Sequence, residues 1–101
     1  MTVDEVCIQL EAAWDDGGFL GQLRDGNFDA DSGTAFLRLL SAIRIDEDSL
    51  LPARMLSLIW YVPLFLEWQE KRVSQNGMDS VTYRNYVATV ISTLEEVLGV
   101  P

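Results

Sequence analysis

Histidine is absent from this sequence. That removes the side chain that titrates nearest neutrality and the most frequent zinc ligand, so imidazole-based triads and histidine-held metal centres are excluded. Cysteine occurs once, as Cys7, so no internal disulfide can close; a reducing compartment, the cytoplasm, is the expectation. Cys7 also lies on an apolar helical stripe, the setting of an inert core thiol and not of a nucleophile. Long apolar runs are missing as well. The longest uncharged stretch, residues 55–66, has 12 residues, well short of the ~20 that a membrane-spanning helix needs. The first residues, Met-Thr-Val-Asp-Glu-Val, have neither the basic region nor the apolar run of a secretory signal. No Walker loop, dinucleotide fingerprint or nucleophile elbow occurs. These absences exclude most enzyme classes and imply no cofactor.

What is there is apolar material and acid. The chain has 101 residues, 49% of them apolar, enough for one domain over residues 1–101 with a core that needs neither disulfide nor metal. The formal charge is −9, and it is lopsided. Residues 1–48 hold 11 acids against 3 arginines, whereas residues 49–101 hold 5 acids against 3 arginines and 1 lysine. Such a field repels nucleic-acid phosphates and anionic membranes and attracts basic surfaces. Solubility alone is the competing explanation of the acidity.

The densest apolar stretch, residues 50–77, organises the rest. From 55 to 66 only Ser57 and Pro63 interrupt the apolar side chains, and a helix apolar on every side must be buried on every side. Ser49 is the expected N-cap, Pro52 falls in the first turn and Gly77 follows the helix as its C-cap. Pro63 has no N–H for the carbonyl of Ile59, which predicts a kink near residues 60–63. Trp60, Leu64 and Trp68 share one face of this helix, a spacing that reads as core. Trp68, placed to stack with Arg72, is the one aromatic whose spacing also allows partial exposure, as a cap on the core or an anchor for a partner, with core the favoured reading. Glu67 and Lys71 stand at i,i+4 in the favourable order for an ion pair.

Around it the pattern predicts three further helices and one short turn. Thr2 and Glu5 have capping-box form, and Val3, Val6, Cys7, Leu10, Ala13 and Trp14 recur at helical spacing as an inward stripe. Asp4, Glu11 and Asp15 then fall together on another face, with no cation on that helix to offset them. Gly17-Gly18 ends this helix, and residues 19–23 read as a helical turn closed by Asp25-Gly26. The stretch 25–33 alternates oxygen-bearing residues like a calcium loop, but Ala30 stands where the turn glycine belongs and Phe36 where the bidentate glutamate belongs. It reads instead as a turn leading to an N-cap at Asp29, Asp31 or Ser32, opening a helix to Ile45 with Arg44 in its last turn. Asp46, Glu47 and Asp48 form an acidic link before the central helix. Asp79 or Ser80 starts the last helix, with Tyr83, Val87, Val90, Ile91, Leu94, Val97 and Leu98 inward and Gly99 as C-cap. The hydroxyls of Tyr83 and Tyr86 are expected to meet solvent or a backbone group. The expected fold is an all-α single bundle of four main helices and one short turn around a kinked apolar helix.

In size, acidity, lack of histidine and helix count the chain resembles the small acidic all-helical immunity proteins that bacteria encode beside contact-dependent or colicin-like toxins. The resemblance implies a cytoplasmic inhibitor that binds and neutralises a basic toxin. A nuclease is the natural target, because a cleft that attracts phosphates is lined by Lys and Arg. The candidate partner-binding residues are Asp4, Glu11, Asp15 and Asp16, the loop acids Asp25, Asp29 and Asp31, and the link acids Asp46, Glu47 and Asp48. Two other functions compete. One is an interaction module or assembly subunit docking through Trp68, Tyr83 and Tyr86; the other is a DNA mimic. The oligomeric state is left open by the sequence.

Overall fold

The computed structural model describes residues 1–45 and 50–101, and every regular element among them is helical. They run α1 Val3–Trp14, α2 Phe19–Arg24, α3 Ala30–Ser41, α4 Ala53–Ile59, α5 Val62–Trp68, α6 Glu70–Gln75 and α7 Ser80–Leu98. The predicted link acids Asp46, Glu47 and Asp48, and the predicted cap Ser49, lie outside the described residues.

Local cap chemistry sets several of the helix ends. The Thr2 hydroxyl accepts the N–H of Glu5 at 3.2 Å, and the carboxylate of Asp79 accepts the N–H of Thr82 at 2.9 Å, each satisfying a donor that a first turn leaves unpaired. Of the three residues considered for α3, Asp29 is the cap; it accepts the Ser32 N–H at 3.2 Å and also the Ser32 hydroxyl. That moves the start of α3 to Ala30, and the helix ends at Ser41 instead of Ile45. Beyond it Arg44 donates to the carbonyls of Ser41 and Ile43, as a cation at a helix C-terminus should. Gly77 and Gly99 follow α6 and α7 with φ of +100° and +85°, a region closed to most side chains.

The central stretch corrects the sequence reading. It is three helices and not one. Pro63 does break it: α4 stops at Ile59, Trp60 and Tyr61 connect, and α5 opens with Pro63 in its first turn. Pro52 sits at the N-cap position of α4, one place before the helix and not inside it. A second break at Gln69, between α5 and α6, has no proline to announce it. Since Glu67 and Lys71 fall on opposite sides of that break, their expected ion pair does not form.

The segment is also not buried all round. One face holds Met55, Ile59, Val62, Phe65, Leu66 and Val73 in the core, while Trp60, Leu64 and Trp68 face outward with Leu56. Fully burying each such aliphatic side chain contributes roughly 1.5–3 kcal/mol before conformational entropy is counted. Side chains from distant helices hold both broken regions. The Trp14 indole N–H donates to the carbonyl of Leu58 in the last turn of α4 at 2.8 Å. The Tyr83 hydroxyl donates to the carbonyl of Leu66 in the last turn of α5 at 2.6 Å. Last-turn carbonyls are short of donors within their own helix; the Leu66 carbonyl also accepts the Gln69 N–H at 3.2 Å, and the Tyr83 hydroxyl is its second donor. The two aromatic donors thereby tie α1 and α7 to the middle of the molecule.

Candidate acidic binding face

The site is built from the corner between α1 and α2 and from the start of α3. Asp15 ends α1: its backbone turns extended at ψ 160°, while its N–H still reaches back to Glu11 and Ala12. Two glycines then let the chain fold back tightly. A Cβ on Gly18 would sit 2.1 Å from the Ala12 oxygen, and one on Gly21 would sit 1.9 Å from the Asp15 oxygen. Backbone meets backbone there, so no other residue fits. The Gly18 N–H donates to Asp15 O at 2.8 Å and the Gln22 side-chain amide to Asp16 O at 2.7 Å. Asp15 and Asp16 therefore carry exposed carboxylates on a backbone pinned from both sides.

Beside this corner lies an open cleft of about 300 Å³ between α1 and α3. Its lining includes Ala12, Ala13 and Gly18 on one side, Ser32 and Ala35 on the other, and the ring of Phe36. Asp15 and Asp16 fall in the chain between the lining residues Ala13 and Gly18, Asp31 directly precedes the lining residue Ser32, and Asp29 stands three residues before it. An uncharged cleft with carboxylates at its margins suits the aliphatic stem and cationic head of an arginine or lysine.

The candidates do not all serve alike. Asp4, Asp15, Asp16, Asp25 and Asp31 are exposed, and none has an ion-pair partner among the described residues. Asp29 is exposed too, but its carboxylate is occupied in capping α3. Asp25 lies beyond the far end of α2, six residues or roughly 9 Å of helix from the corner. Glu11 corrects the expectation of an acidic helix face without a cation. Arg54 of α4 reaches across and pairs with it, an association between residues 43 positions apart. The hydrogen bond that Arg54 donates to Glu11, with weaker help from the charges of Glu11 and Asp4, raises the pKa of the Arg54 guanidinium.

The other arginines show where positive charge goes. Arg24 lies over the rings of Trp14 and Phe65, at 5.7 and 5.4 Å from their centroids. Arg72 donates to the Arg24 carbonyl at 2.9 Å instead of stacking on Trp68, and Arg84 pairs with Glu70 at 2.7 Å. Among the described residues the only carboxylates in ion pairs are Glu11 and Glu70.

The calcium-like stretch is spent on turns. Asn76 donates to Gly26 O at 3.2 Å and to the Asn27 side chain at 3.1 Å, while the Asn27 amide donates to Gln22 at 3.2 Å. Of the aromatic anchors named for the competing function, Tyr83 is buried and bonded to Leu66. Tyr86 is half-buried with its hydroxyl on Gly33 O at 2.8 Å, and only Trp68 is exposed. No helix among the described residues is long and apolar enough to cross a membrane. No family model, curated protein or solved structure matches the chain.

Proposed function

We propose that this chain is an inhibitor of the immunity type, which binds a basic toxin, most simply a nuclease, and occludes its cationic cleft without performing a reaction of its own. The observation that carries this reading is the way charge is distributed. Asp15, Asp16 and Asp31 stand exposed and unpaired among the described residues beside an uncharged cleft. Most of the arginines, meanwhile, are turned onto carbonyls, ring faces and two other carboxylates. Like charges held close together cost a helical domain stability, and a cationic partner relieves that cost. The pinned backbone at the corner adds to the case, because acids already in position lose little entropy on binding. The long-range field of a −9 chain would in turn speed encounter with a basic surface, most strongly at low salt.

The test is co-expression with the product of the open reading frame immediately upstream. Protection of the cells is expected, together with a complex whose association slows as salt rises. The Asp15→Lys/Asp16→Lys variant is expected to lose protection while keeping its thermal midpoint. An upstream product that harms no cell, or full protection by that variant, would refute the acidic-face inhibitor.

A further inference from the structure

Leu56, Trp60, Leu64 and Trp68 recur every four residues, and each is exposed, at 48, 57, 42 and 65%. The break between α4 and α5 does not scramble this row. Trp60 and Tyr61 both keep right-handed helical dihedrals, so the four-residue phase passes from one helix to the next. Alongside runs an open cleft of about 260 Å³, where Trp60 and Pro63 face Leu94 and Leu98 of α7 with Glu95 among the lining. The two indoles are held in position. Tyr61 lies 5.3 Å from the Trp60 ring and 5.9 Å, edge-on, from the Trp68 ring, and it is backed in turn by Trp14. Aromatic anchors fixed in this way are the usual centres of protein interfaces.

We propose that this row is a docking site for an amphipathic helix of a partner protein, its apolar face on the tryptophans and its polar face basic. Shape favours a helix, since a single row at i,i+4 spacing beside a cleft is the imprint of one helix face. Charge favours a basic one. Exposed Glu67 stands between Leu64 and Trp68 in the chain, Glu95 lines the cleft, and exposed Glu96 is its neighbour. Lys71, one turn beyond Trp68, is the only lysine in the chain. A second copy of this chain fits less well. Two tryptophans and three leucines with these exposures offer about 500 Å² of apolar surface, less than the ~800 Å² per partner of a standard stable interface. Two chains of charge −9 also repel. The row lies on α4, α5 and the link between them, and its cleft adds residues of α7. Neither shares a residue with the acidic face on α1 to α3, so the proposal stands or falls separately from the function proposed above.

The probe is a labelled synthetic Leu/Lys amphipathic helix of about 15 residues, long enough to cover the row. Its controls are a shuffled peptide of the same composition and a Leu/Glu version. The Leu/Lys helix is expected to bind and to shift the tryptophan emission to the blue, and the two controls are expected to bind weakly. Trp60→Ser with Trp68→Ser should weaken binding by about tenfold or more, as removal of hot-spot anchors does. Trp60→Phe with Trp68→Phe should retain most of it, and Glu67→Gln with Glu95→Gln should weaken it several-fold. The Asp15→Lys/Asp16→Lys chain should bind the peptide like wild type. Equal binding of the shuffled peptide, or undiminished binding by the folded Trp→Ser chain, would overturn the proposal. So would a wild-type dimer in sedimentation that Trp60→Ser with Trp68→Ser abolishes, since the occupant would then be a second copy. Failure of the wild-type chain to bind the Leu/Lys helix, with its toxin protection intact, would count against this site alone.

Discussion

The leading helices and the middle helices solve the same problem in opposite ways. α1 and α3 turn acids outward and keep Leu10, Phe36 and Leu40 inside, close to the ordinary division of an amphipathic helix, with Val3 and Ile8 of α1 as exposed exceptions. α4 and α5 have too few polar residues for that division, so they expose leucine and tryptophan. The difference shows that composition governs what a helix can bury only as far as its neighbours can cover it. Two helices of 7 residues each, packed against α1 and α7, have one face covered and one left over. Charge on one half and bare aromatic surface on the other give the molecule two chemically distinct outer faces.

The core beneath both faces should be the most sensitive to change. Leu66→Ala removes a fully buried side chain and is expected to cost about 3 kcal/mol in chemical denaturation, whatever happens at either surface. Tyr83→Phe keeps the ring but withdraws the bond to Leu66 O, and about 1–2 kcal/mol should be lost.

The same hydroxyl predicts a pH effect. Burial first, and then neighbouring charge from Glu70, pushes the Tyr83 pKa well above the ordinary tyrosine value near 10, and burial does the same for Tyr86. The folded chain keeps protons that the unfolded chain releases, so this contribution is complete below pH about 10 and is lost as pH rises beyond it. Alkaline unfolding should be shallower in Tyr83→Phe/Tyr86→Phe than in wild type. A smaller effect has the opposite sign. Hydrogen bonds from Thr82 lower the Asp79 pKa, so its cap is at full strength above the ordinary aspartate range and is lost as pH falls through the lowered value. Asp79→Ala should flatten part of the acid limb of the stability curve.

At the surface the two halves should diverge. Trp60→Ser with Trp68→Ser should move stability by no more than about 0.5 kcal/mol per site, since both side chains are mainly in solvent. Glu11→Gln should cost less than about 1 kcal/mol, because an exposed pair with Arg54 is screened and costs side-chain entropy. Asp15→Asn with Asp16→Asn should be smallest, neutral or slightly stabilising, as thermal melts at low and high salt would report. A large loss from this last variant would mean that the acids hold the corner together and are not there for a partner.

Several helix ends could be read from the sequence because capping is local: Thr2, Asp79, Gly77 and Gly99 act within a turn of themselves. Pro63 announced its break for the same reason. Gln69 did not, since nothing in Trp-Gln-Glu-Lys opposes a helix. The outward row 56–68 was misjudged because an apolar average says nothing about coverage; its four-residue period was visible, but the helices that would leave it bare were not. Within the acidic face the residue types were readable and their company was not. Arg54 reaches Glu11 across 43 positions, and the cleft beside Asp15 exists only once α3 lies against α1.

The bonds from Trp14 to Leu58 and from Tyr83 to Leu66 carry a consequence for the order of events during synthesis. One break in the midsection waits on a residue translated long before it, the other on a residue translated after it. Ribosome-bound chains lacking α7 should therefore hold α4 and α5 only loosely, and the midsection should become rigid when the final helix emerges and closes on it.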